Sequence, residues 1–168
     1  MKTIWLLSVL CLVGTAFATK QWPEKFLGKW EVEKSENFDE YLEAKGYGWF
    51  MRQMVKLASI TKIFEKSTEV PGTYNVKILT SKKNVEWKNI PFGQEFQGEY
   101  LDDSQHKITI DYDAVKDELT EHHTNIDKPA EKPDLYTYVR ESSTHGEYIV
   151  MRMEANGVAT KRWYKKIN

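Results

Sequence analysis

The sequence predicts an all-β domain, either a closed barrel or two orthogonal sheets, with one helical pair inserted after the first strand. Three observations carry this. The helical period appears only between Asn37 and Ala58. From Ile60 to the C-terminus, short stretches rich in β-branched and aromatic residues recur about every ten positions. Turn residues stand between them: Pro71 with Gly72, Asp102 to Ser104, Asp113 to Asp117, Gly146, and Asn156 with Gly157.

The first strand is "FLGKWEVEKS", where Phe26, Trp30 and Val32 share a parity. In "ENFDEYLEAKG" the period changes, and Phe38, Tyr41, Leu42 and Lys45 follow the i, i+3, i+4, i+7 spacing of one helix face. Asn37 stands at the expected N-cap with Glu40 three residues on, as in a capping box, and Gly46 suits the left-handed residue that stops a helix. A second helix, "GWFMRQMVKLA", carries an apolar stripe of Phe50, Met54, Leu57 and Ala58, with Trp49, Arg52, Gln53 and Lys56 on the other side. Nine strands follow: "KIFEK", "TYNVKIL", "NVEWKNI", "EFQGEYL", "HKITIDY", "ELTEHHT", "LYTYVRE", "YIVMRME" and "ATKRWYKKI". The segment "NIDKPAEKPD", residues 125–134, holds two prolines, is too long for a tight hairpin, and reads as a solvated loop.

Residues 1–18, "MKTIWLLSVLCLVGTAFA", read as a secretory signal peptide. They have a basic start at Lys2, an apolar run from Ile4 to Val13, and a small-x-small ending at Ala16 to Ala18. The run falls short of the roughly 20 residues that span a bilayer. The domain is therefore expected over 19–168, secreted and extracellular. Its core must hold without disulfides, because the sole cysteine, Cys11, lies in the leader. Removing the leader takes away one cation, so 24 basic and 25 acidic side chains become 23 and 25. So even a balance argues against nucleic-acid binding, which needs clustered cations.

A barrel of ten short strands has more interior than its own side chains fill, so a ligand cavity is expected. On the last strand Thr160, Arg162 and Tyr164 share one face, and Lys161, Trp163 and Lys165 the other. On "LYTYVRE", Tyr136, Tyr138 and Arg140 share a face; on "YIVMRME", Ile149, Met151 and Met153 do. Alternation alone leaves Arg162 open to a surface or salt-bridged role, but if its face turns inward, an arginine and a tyrosine among flexible apolar residues suit an amphiphile with an acid head: the guanidinium pairs with a carboxylate and the phenol completes its hydrogen bonding.

The chain resembles the intracellular lipid-binding proteins, the fatty-acid-binding proteins, and specifically their secreted nematode branch. The resemblance lies in Gly28-x-Trp30-x-Val32, Asn37-Phe38-Asp39 and Tyr41-Leu42, then in "FGQEF" (Phe92 to Phe96), then in "GVATKRWY" (Gly157 to Tyr164). It implies a ten-stranded up-and-down antiparallel β-barrel of calycin type, capped by a two-helix portal lid, that binds and transports one long-chain fatty acid. It also implies a carboxylate clamp at Arg162 and Tyr164. Where the family has a further arginine two strands earlier, the register places Tyr138, with Arg140 one step along the same face; either is an expected auxiliary. Trp49, Arg52 and Lys56 on the second helix are expected to contact an anionic membrane surface transiently.

No enzyme is expected. The sequence has no Gly-x-Ser-x-Gly elbow, phosphate-cradling glycine loop or His-Glu-x-x-His helix. His122 and His123 face opposite ways on a strand and cannot chelate one metal together. No metal or cofactor is expected, and the protein is expected to be a monomer. The alternatives to a fatty-acid carrier are a retinoid carrier and a signalling or structural scaffold without cargo.

Overall fold

The computed structural model describes residues 20–168, so the expected leader at 1–18 lies outside the described residues. The chain forms ten strands, each antiparallel to its neighbours: β1 Gly28–Glu36, β2 Ile60–Lys66, β3 Thr73–Thr80, β4 Val85–Pro91, β5 Glu95–Glu99, β6 Gln105–Asp113, β7 Glu118–Asn125, β8 Asp134–Ser143, β9 Gly146–Ala155 and β10 Val158–Ile167. Two helices, α1 Phe38–Ala44 and α2 Trp49–Lys56, separate β1 from β2. The sheet order is β4-β3-β2-β1-β10-β9-β8-β7-β6-β5, so β1 closes onto β10 and the ladder is interrupted only between β4 and β5. This is the nearly closed up-and-down barrel with a two-helix lid.

Local chemistry explains the turns and breaks. Asn156 and Gly157 both take positive φ (48° and 81°) and join Ala155 directly to its partner Val158, the mirror-image turn that matches strand twist and that Asn-Gly favours. At the β4–β5 gap the Trp87 ring fills the space, its indole N–H donating to the Glu99 carbonyl at 2.9 Å. Phe96 packs edge-on against it at 5.5 Å.

The parity expected for β9 and β10 is the parity observed. Ile149, Met151, Met153 and Tyr164 join the interior cluster. Val150 and Trp163 form a separate outer cluster with Tyr148. Beneath the barrel, Trp22 seals one end against Phe64, Phe92 and Tyr74, with ring centroids 5.0, 5.1 and 5.4 Å away.

The lid departs from expectation in two ways. Asn37 sits in the left-handed region (φ 51°) and makes no side-chain cap bond, so the capping box does not form; the residue turns the chain out of β1 rather than capping α1. On α2 no residue is buried. Half of its expected apolar stripe faces outward: Phe50 is 68 % exposed, and Leu57, beyond the helix end, 84 %, while Met54 and Ala58 are half-buried. By contrast α1 buries Tyr41 and Leu42, and its end is anchored by the Asn156 amide donating to the Ala44 carbonyl at 2.7 Å.

Candidate ligand-binding site

Arg162 and Tyr164 both lie inside the barrel on β10, with Arg162 4 % exposed. The Arg162 Nε donates to Ser35 Oγ at 3.0 Å, and its guanidinium carbon lies 4.1 Å from the centroid of the Phe38 ring at the start of α1 and 5.8 Å from that of Tyr164. Among the described residues no carboxylate pairs with it. The residue expected to hold an acid head is thus a buried cation, steadied by a hydroxyl and an aromatic face, with the outer part of its fork uncommitted.

Ser35 reaches Arg162 because β1 carries a bulge. Val32 pairs with Tyr164, but the next pair is Lys34 with Trp163, so Glu33 is an extra residue. Simple alternation from Trp30 and Val32 would send Lys34 inward. The bulge reverses the parity, putting Lys34 on the outer face with its ammonium 4.3 Å from the Trp163 ring centroid and Ser35, itself exposed, on the same face as Arg162.

Tyr138 is fully buried, on β8 two strands from Arg162 and at the same level, since Met151 of β9 pairs with both. Strand spacing separates their Cα atoms by about 10 Å. The phenol does not turn to Arg162. It donates to Glu121 Oε2 at 2.5 Å and accepts from Lys62 Nζ at 2.5 Å. Arg140 is committed elsewhere: it donates to the Tyr148 carbonyl at 3.2 Å, pairs with Glu147 at 3.2 Å and stacks on Trp30 at 4.8 Å. The structure therefore brings Arg162 and Tyr164 together, places Tyr138 in a neighbouring polar cluster, and holds Arg140 apart.

That neighbouring cluster was not anticipated from the sequence. Lys62 (β2), Glu121 and His123 (β7) and Tyr138 (β8) are all buried. Glu121 Oε2 lies 3.4 Å from Lys62 Nζ, and its Oε1 accepts from His123 Nε2 at 2.7 Å. Burial pushes the Glu121 carboxyl up, but the Lys62 charge, the His123 N–H and the Tyr138 hydroxyl outweigh it and hold Glu121 well below the usual carboxylate range. Burial, reinforced by the Glu121 charge, pushes the Tyr138 phenol well above its usual range, so it stays protonated and can donate. Parity held a signal for each member: Lys62 alternates with Phe64, and Glu121 and His123 with Leu119.

No family model matches the sequence. A curated relative from Ascaris suum, described as a fatty acid-binding protein homolog, is 44% identical over 164 residues, 96% of this chain and 96% of its own length. The chain belongs to the fatty-acid-binding protein family. A second family member, fatty acid-binding protein homolog 4 of Caenorhabditis elegans, is 44% identical over 146 residues, 86% of this chain and 96% of that protein. Among solved structures, As-p18, an extracellular fatty acid binding protein, aligns with a TM-score of 0.81 at 46% identity over 88% of this chain and 100% of that one. For a member of this family, the Lys62–Glu121–Tyr138 cluster is an ionised network inside the same interior as Arg162.

On the lid, Trp49 is 68 % exposed, whereas the two cations beside it are engaged. Arg52 lies 3.4 Å from Asp39 and 3.1 Å from Glu43, and Lys56 lies 3.1 Å from Asp39. Their charge is largely neutralised by α1.

Proposed function

We propose that the protein carries one long-chain fatty acid inside the barrel, with the carboxylate held by Arg162 and Tyr164, and that it does so in an extracellular fluid. The observation that carries this reading is a buried arginine with no carboxylate partner among the described residues. A buried cation is costly unless an anion pairs with it, and an acid head brought in by an apolar tail supplies that anion. The tail supplies the driving force, at about 0.8 kcal/mol for each methylene it buries. The leader at residues 1–18 supports export, as does the likeness to a protein described as extracellular.

Displacement of a fluorescent fatty acid tests the cargo. Oleate is expected to displace it at concentrations where retinol does not; the reverse order favours the retinoid reading. Protein that emerges empty and cannot be loaded favours a scaffold. Expression with the native leader is expected to release a chain beginning at Thr19 into the medium.

The exposed lid favours a second element, transient contact with an anionic membrane. Trp49, with Phe50, Met51 and Leu57 around it, forms an outward apolar patch on the portal. Because Arg52 and Lys56 are already paired with α1, the contact is expected to rest chiefly on the apolar group. Trp49→Ser with Leu57→Ser should slow fatty-acid transfer to anionic vesicles severalfold, and an unchanged rate would exclude the contact.

A further inference from the structure

The interior holds three ionised groups: Arg162, Lys62 and Glu121. Two of them are cations, and the one anion is Glu121. Its carboxylate accepts from Lys62, Tyr138 and His123 together, drawing donors from three strands onto one internal anion. Tyr138 has one hydroxyl proton and gives it to Glu121, so it has none for a ligand carboxylate. Of the three ammonium protons on Lys62, two are directed to Glu121 and Tyr138.

Lys62 and Tyr138 would otherwise make a second anion site, an ammonium beside a phenol in a low-dielectric interior. The geometry points to Glu121 as the residue that closes that site: a built-in counter-ion that restricts the cavity to one ligand carboxylate and so selects monocarboxylates over α,ω-dicarboxylates. This rests on the reading that places the head group at Arg162. A second carboxylate entering this interior meets no unpaired lysine or arginine among the described residues and faces the Glu121 charge. Replacing Glu121 by its neutral isostere leaves Lys62 unpaired and opens the site.

The test uses delipidated protein and pairs each dicarboxylate from decanedioate to hexadecanedioate with the monocarboxylate of equal length. Wild type is expected to bind the monocarboxylate roughly a hundredfold more tightly at every length. In Glu121→Gln that ratio should shrink by about tenfold or more for at least one length, and the gain should vanish in Glu121→Gln/Lys62→Met. Equal affinities in wild type, an unchanged ratio in Glu121→Gln, or a gain that survives loss of Lys62 each overturn the role of Glu121. If Glu121→Gln does not fold alone, it is refolded with each ligand: recovery favouring the dicarboxylate supports the role, and equal recovery or none overturns it. Arg162→Leu separates the two readings. If it leaves monocarboxylate affinity intact, the head-group reading fails; if it abolishes that affinity while the ratio in Glu121→Gln stays fixed, only the role of Glu121 fails.

Discussion

Arg162→Leu should make the protein bind acids worse and, when empty, stand heat at least as well. The ligand side is the larger effect. Removing one partner of a buried charge pair costs about 3–5 kcal/mol, so oleate affinity should fall by roughly a hundredfold to a few thousandfold. Oleyl alcohol has the same chain and no charge, so its affinity should change by less than about tenfold. In the empty protein, the substitution removes the Ser35 bond, about 1 kcal/mol, and the Phe38 stacking, about 0.5–2 kcal/mol. Against that it relieves the burial of a cation without a carboxylate partner, a cost of several kcal/mol. The net change is near zero or stabilising by about 1–2 kcal/mol, which for a domain of this size raises Tm by roughly 2–8 °C. Calorimetric titration with oleate and oleyl alcohol, together with thermal unfolding of delipidated protein, reads both sides. Equal losses for acid and alcohol refute a head-group role, and a drop in Tm beyond a few degrees would show that Arg162 serves the fold instead.

Two further outcomes follow from the geometry. A Cβ at Gly98 would lie 2.7 Å from the Trp87 indole nitrogen and 2.8 Å from Cδ1, so Gly98→Ala must displace the ring that fills the β4–β5 gap; a loss of about 1–3 kcal/mol is expected in urea unfolding, and full stability would mean that the ring moves freely. Because Glu121 is held below its unfolded value of 4.5, the unfolded chain takes up a proton first as pH falls, and stability present above that value is lost on the way down to the lower folded pKa. Relative to Glu121→Gln/Lys62→Met, wild type should show an additional slope approaching about 1.4 kcal/mol per pH unit between pH 4 and 3 in urea midpoints; parallel curves would mean that Glu121 is not ionised in the folded state.

How much the sequence shows depends on how local the deciding physics is. Strand alternation and turn residues act over a few positions, so the ten strands and the shared face of Arg162 and Tyr164 can be read directly, whereas which face turns inward comes from the family resemblance. The bulge at Glu33 is different. Whether Lys34 or Ser35 shares the face of Arg162 is settled by pairing with β10, where Trp163 offers Lys34 an aromatic face and Arg162 offers Ser35 a donor. Nothing within β1 encodes that choice. The partnership of Lys62 with Glu121 spans 59 positions and depends on barrel closure, so alternation can place each inside without showing that they meet. Asn37 and Phe50 fail for a third reason: propensity and amphipathic spacing describe an isolated helix. In this protein Asn37 is used for its tolerance of a left-handed backbone, and α2 meets the core through the part-buried Val55 while Phe50 stays exposed.

The same contrast bears on how a ligand gets in and out. Two parts of the wall lack a continuous ladder, the β4–β5 gap and the lid. At the gap, Trp87 is buried, hydrogen-bonded to the opposite strand and in contact with Phe96 and Tyr100. Opening there would strip a large aromatic residue from the core. At the lid, α2 has no fully buried residue; it is held by Val55 packing part-buried against the core and by Arg52 and Lys56 pairing with Asp39 and Glu43 of α1. With no large aromatic residue to strip from the core, the lid is the cheaper way out, and salt should weaken its ion pairs. Its inner end is not independent of the cargo. Phe38 begins α1 and stacks on the Arg162 guanidinium, so a carboxylate drawn to that guanidinium arrives beside the root of the lid. On the proposed head-group reading, one arginine would connect carboxylate recognition to the lid, and the stacking of Phe38 on Arg162 is where the two would meet.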